Sequence, residues 1–147
     1  MFYMSGYLEE NRRQYYSYLH GISQEKNWNG WIAFFLKGVD EQARENSRKV
    51  HAIKALYENM KREVIDLTHS QYSIAALDEI FNRPIFKTSD FTANTGIPKP
   101  TSMKILRILK DARILTTIRE GAGQKAAILA YKELLDIAEG RTQQESA

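Results

Sequence analysis

Seven cations fall between positions 99 and 125: Lys99, Lys104, Arg107, Lys110, Arg113, Arg119 and Lys125. Only Asp111 and Glu120 oppose them. Side chains of this type suit phosphate oxygens, arginine through its planar donor fork and lysine as a point charge. The segment is more positive than the whole chain, whose net charge is +3, so the remainder is slightly acidic. Catalytic chemistry is less well represented. The three histidines, His20, His51 and His69, stand far apart and show no ligand spacing such as HExxH. There is no cysteine, which excludes disulfides and thiolate metal sites, so no metal ligands are assigned. Neither a GxxxxGKS/T loop nor GxGxxG occurs, and Gly121 with Gly123 reads as a hairpin turn needing positive φ. Glu9 with Glu10, and Glu41 with Glu45, read as helix-surface charge. His51 sits among the charges of a long helix. Trp28 and Trp31 form an aromatic pair on an apolar helical stripe, a core or interface pattern before it is a ligand platform.

The basic segment needs a scaffold, and Thr88 to Tyr131 supplies the layout of a winged helix-turn-helix. A first helix is expected from Ser89, as N-cap, with Asp90 in its first turn. It runs through DFTANT and stops at Gly96, a residue type that tolerates the left-handed conformation. Ile97 packs inward, and Pro98 and Pro100 set up a new N-terminus. The second helix, TSMKILRILKDA, is expected to start at Thr101 or Ser102. Ile105, Leu106, Leu109 and Ala112 form its core side; Thr101, Lys104, Arg107 or Ile108, and Asp111 face outward. Ile114 to Arg119 and Lys125 to Ala130 read as strands joined by EGAGQ. A helix-turn-helix presents its second helix to the DNA major groove. The expected DNA contacts are therefore Thr101, Ser102 and Lys104 near the helix start, Arg107 and Lys110 along it, and Arg119 and Lys125 beside the wing. Lys99 can reach a phosphate. A partly exposed Met103 and Ile108 would instead favour a protein contact.

The N-terminal half is helical. Tyr3 to Leu19 has apolar residues near helical spacing. Asn27 can cap a second helix whose stripe runs through Trp28, Trp31, Ile32, Phe35, Val39, Ala43, Val50, Ile53, Tyr57, Met60, Val64 and Leu67. That helix can extend from Trp28 to about Asp66, with a kink or break at Gly38. Charges around a narrow stripe indicate an antiparallel helix hairpin or a coiled-coil arm. Trp28, Trp31, Ile32 and Phe35 are the expected interface, through which the long helices pair with each other or with a second copy in a homodimer. Thr68 to Tyr72 reads as a connector, Ser73 to Phe81 as a helix, Lys132 to Glu139 as another, and GRTQQESA as a frayed tail. The expected class is mainly α: a long helical hairpin or arm at 1–69, then a winged helix-turn-helix with a small two-stranded β wing at 70–140, and a tail at 141–147. No apolar run is long enough to span a membrane and no secretory pattern opens the chain, so a cytoplasmic location is expected.

The runs MFYMSGYLEENRRQYYSYLHGI and NWNGWIAFFLKGVDEQA resemble the segment just after the catalytic core of Fic (cell filamentation) proteins. The pattern there is YLExNRxxYYxxL followed by WxxWIxFFLxGV. The long helices and winged part look like the C-terminal extension of many bacterial members, so the resemblance covers nearly the whole chain. Full-length Fic proteins typically transfer AMP from ATP to a hydroxyl side chain of a target protein, through the signature HPFxxGNGRxxR. This chain has no His-Pro pair and no GNG, so the family's catalytic residues have no positions here. The resemblance implies a non-catalytic C-terminal fragment or truncated homologue lying downstream of that loop. ATP and Mg would belong to the parent enzyme, and the missing N-terminal Fic core would be a partner. The expected role is a DNA-binding or regulatory winged module. The alternative is a protein-interaction or dimerisation module that positions the parent enzyme or its target.

Overall fold

The computed structural model describes residues 4–123 and 125–141. Its elements in order are α1 (Met4–Glu10), α2 (Arg12–Glu25), α3 (Trp28–Thr68), α4 (Ser73–Asn82), β1 (Ile85–Lys87), α5 (Thr88–Thr95), α6 (Lys99–Asp111), β2 (Thr116–Arg119), β3 (Ile128–Ala130) and α7 (Lys132–Glu139). The mainly helical class with a small β wing is as expected. Contacts divide the chain into two units, residues 1–51 and 52–147.

In the first unit the single helix expected over 3–19 is two. Asn11 leaves the helical region at φ −105°, ψ 28°, and its side-chain amide donates to the Tyr7 carbonyl at 2.9 Å. An asparagine that bonds its own backbone competes with helix continuation, and here it wins. Asn27 does cap α3, its Oδ1 accepting from the Gly30 N–H at 3.3 Å. Tyr7 and Tyr18 close on Phe34 with ring centroids 5.4 and 5.3 Å away. Tyr18 also lies against Gly30 and Tyr7 against Gly38, so the contacts run in opposite senses along the two segments, as in a helical hairpin. No break occurs at Gly38. A Cβ there would fall 2.5 Å from the Tyr7 ring, so this glycine admits a neighbouring side chain rather than bending the helix.

In the second unit the last turns of α3 supply Leu56, Met60 and Val64 to a core with Leu77, Ile80, Phe91, Ile97, Ile105, Leu106, Leu109, Leu115, Leu129, Tyr131 and Leu134. That is why the division falls at 51/52 and not at 69/70: the expected arm donates one wall of the winged core. The sheet has three antiparallel strands in the order β1-β3-β2, where two were expected. The added strand is Ile85-Phe86-Lys87, whose Phe86 pairs with Leu129. β2 starts at Thr116 because the Ile114 and Leu115 N–H groups are taken by the Leu109 carbonyl at the end of α6. β3 starts at Ile128, and Lys125 instead bridges to Ala122 across the wing turn. The tail expected at 141–147 lies outside the described residues beyond Arg141.

Helix starts also move. α5 begins at Thr88, with Lys87 as a cap that makes no side-chain bond. Ser89, the expected cap, turns its hydroxyl to Asp90 at 3.0 Å. Gly96 takes the left-handed conformation at φ 64° as expected. α6 begins at Lys99, with Pro98 as cap and Pro100 in the first turn. Ala112, expected in the core, is exposed at the C-terminal cap. Among the described residues, no helix is long and apolar enough to cross a membrane.

Candidate nucleic-acid interface

Starting α6 at Lys99 fixes which side chains reach solvent. Ile105, Leu106 and Leu109 are buried as expected, and Ser102 joins them with no exposed surface. The Ser102 hydroxyl donates to the Ile97 carbonyl at 3.2 Å, inside the turn between α5 and α6. Ser102 therefore holds the turn and cannot read a base, which corrects the expectation. Pro100, Lys104, Arg107 and Asp111 follow at threes and fours and form the crest of the helix, all exposed. Thr101 and Ile108 lie on one flank, Met103 and Lys110 on the other.

Each flank borders a groove. On the wing side, Met103, Arg107, Lys110 and Asp111 face Glu120, Gly121, Ala127 and Leu129. On the other side, Thr101, Lys104, Ile105 and Ile108 face the connector 68–72. A third hollow gathers the start of α5 (Thr88, Ser89, Thr92), Lys99 and Met103 of α6, and Gly123, Lys125 and Ala126 of the wing. It brings Lys99 and Lys125 together although 26 positions separate them in the sequence. Arg119 is exposed on the edge strand β2, next to a register shift that leaves Ile118 unpaired and 58 % exposed. The sequence assigns Ser89 only as a helix cap and gives Thr88 and Thr92 no part in a site. Their nearness to Lys99 and Lys125 depends on β1 holding the start of α5 beside the wing, which the sequence did not signal.

Seven cations elsewhere meet carboxylates: Arg12 with Glu9, Lys37 with Glu41, Arg44 with Asp40, Lys49 with Glu45, Lys61 with Glu58, Arg83 with Glu79 and Arg141 with Glu139. Lys99, Lys104, Arg107, Lys110, Arg113, Arg119 and Lys125 make no ion pair within 4.0 Å among the described residues. Asp111 and Glu120 line the wing-side groove near the α6 C-terminal end, and the hollow that holds Lys99 and Lys125 has no carboxylate in its lining among the described residues. The N-terminal end of a recognition helix is the one that meets base edges.

The perturbed titrations lie elsewhere. The Tyr57 hydroxyl donates to Asp78, which, with burial, pushes its pKa up to about 12. Burial first, and then Glu133, raises Tyr131 well above the ordinary phenol value. Glu45 is held low by its bond to Lys49. On α3, Trp28, Ile32 and Phe35 are 57 %, 47 % and 39 % exposed and share one face with Leu36. Trp31, expected with them, is half-buried and packs on Tyr15 at 5.5 Å. No protein-family model matches the chain.

Proposed function

We propose that the second unit binds duplex DNA, with α6 entering the major groove and the wing resting beside it. The observation that carries this reading is the gathering on α6 and the wing of Lys99, Lys104, Arg107, Lys110, Arg119 and Lys125, all without an ion pair among the described residues, with Lys99 and Lys125 brought to one hollow. Unpaired surface cations cost self-repulsion, and a phosphodiester backbone relieves it while releasing counterions. Arg107 on the crest suits the groove and Lys104 its rim, within reach of a phosphate; Lys99, Lys110, Arg119 and Lys125 suit phosphates; Thr101 is near enough to the helix start to influence sequence preference. Titration of a labelled mixed-sequence duplex at low and moderate salt tests it. Binding that weakens steeply with salt is expected. No binding at low salt by a folded chain would overturn the reading.

In keeping with the resemblance to Fic proteins, the chain acts as a non-catalytic regulatory region, and ATP, Mg and AMP transfer belong to the core it would accompany. A second reading, a protein-interaction or dimerisation module, is favoured by one observation: the exposed face of Trp28, Ile32, Phe35 and Leu36. Apolar surface left in water is unfavourable by about 25 cal/mol per Å². Sedimentation across concentration tests it, with a dimer expected for the wild type and a monomer for Trp28→Ser. A monomer at every concentration would remove self-pairing.

A further inference from the structure

We infer that the connector His69–Tyr72 between α3 and α4 is a second backbone-gripping edge, placed for the DNA strand opposite the one that the wing meets. The inference rests on the DNA-binding reading and adds a contact element to it. A helix about 10–12 Å across fills a major groove about 12 Å wide, so phosphates rise on both sides of it. The wing stands on one flank of α6. The connector stands on the other, forming a groove with Thr101 and Lys104 that no carboxylate lines.

The segment is built for this. Its backbone is fixed: the Thr68 hydroxyl donates to the Val64 carbonyl at 2.7 Å, and the Ser73 hydroxyl, 2.6 Å from both the Ser70 carbonyl and the Thr68 hydroxyl oxygen, donates to one of them. The Tyr72 N–H donates to the Ser70 hydroxyl oxygen at 3.2 Å, leaving the Ser70 O–H to point elsewhere. Yet the exposed side chains of His69 and Gln71 make no hydrogen bond among the described residues. Both carry N–H donors. His69 also sits at φ 45°, a left-handed conformation that glycine would adopt without strain. A fixed backbone that presents unengaged donors beside Lys104 is complementary to an anionic backbone.

The test uses the full chain and a mixed-sequence duplex, with His69→Gly, His69→Lys and, as a check on the wing side, Lys110→Glu. His69→Gly relieves the backbone, so it is expected to melt no lower than the wild type while binding about tenfold more weakly, the size of one hydrogen bond to a charged phosphate. His69→Lys is expected to bind more tightly and to steepen the slope of log K against log salt by about 0.9. Ethylation interference on the wild type is expected to show blocked phosphates on both strands, with one set lost in His69→Gly. If Lys110→Glu weakens binding while both His69 variants bind as the wild type does, the connector inference falls and the DNA reading stands. If the wild type does not bind duplex at low salt, both fall.

Discussion

Salt dependence is the most demanding test of the winged surface, because its size follows from a count. Five of the unpaired cations, Lys99, Lys104, Lys110, Arg119 and Lys125, face outward from α6 or the wing and are free to meet phosphates. Each phosphate neutralised on duplex DNA contributes about 0.9 to the slope of log K against log salt, so the five together give about −4.5. Raising salt from 50 to 200 mM should then weaken binding roughly 500-fold. Lys104→Ala removes one contact, so the slope should fall to about −3.6 and the loss to roughly 150-fold. Asp111→Asn removes the acidic group from the crest and should tighten binding with little change of slope. Fluorescence anisotropy with a labelled mixed-sequence duplex, repeated across salt, measures all three. A wild-type slope near −1, or a Lys104→Ala slope equal to the wild type's, would refute the assignment of this surface to DNA.

Three further outcomes probe the fold. Gly38→Ala gains up to about 1 kcal/mol of helix propensity but places its methyl against the Tyr7 ring, and overpacking of about 1–3 kcal/mol outweighs it; the first unit should melt lower, and a rise would contradict the close approach. Arg113, at φ 61° after α6, should give about 0.5–1 kcal/mol when replaced by glycine, the left-handed strain less the added chain entropy; a urea midpoint that falls would show that the side chain holds the turn. Tyr57, whose pKa rises from 10.0 to about 12 through Asp78 and then burial, favours the folded state fully below pH 10 and loses that contribution as pH climbs toward 12. Tyr57→Phe should therefore flatten the fall of melting temperature over that interval, and an unchanged profile would remove the linkage.

Much of the winged part was legible because turn chemistry is local. Gly96, Pro98 and Pro100 mark the turn without help from distant residues, and α7 needs only its own periodicity. What failed was non-local or one residue out of register. β1 is three residues long, too short for a period-two pattern, and exists because Leu129 arrives over forty residues later to pair with Phe86. Ser102 looked like a helix start; with the start at Lys99 it turns inward onto the Ile97 carbonyl. The apolar stripe of α3 is continuous, so nothing in it marks where one core ends and the next begins. Gly38 has two readings in a sequence, a weak point or a close approach, and only the position of Tyr7 decides.

The middle of α3 has a thermodynamic consequence. Between Gly38 and Leu56 no residue is buried, and Val50 is 63 % exposed. This stretch is held by its own backbone bonds and by ion pairs such as Lys49–Glu45 at 2.8 Å, each worth about 0.3–0.5 kcal/mol. Such a helix opens locally at far lower cost than either core, so its amides exchange and its peptide bonds are cut while Tyr7 and Leu77 remain packed. More than one unfolding transition is therefore expected of this chain, and coincident melting of the two cores in a calorimetric scan would contradict it.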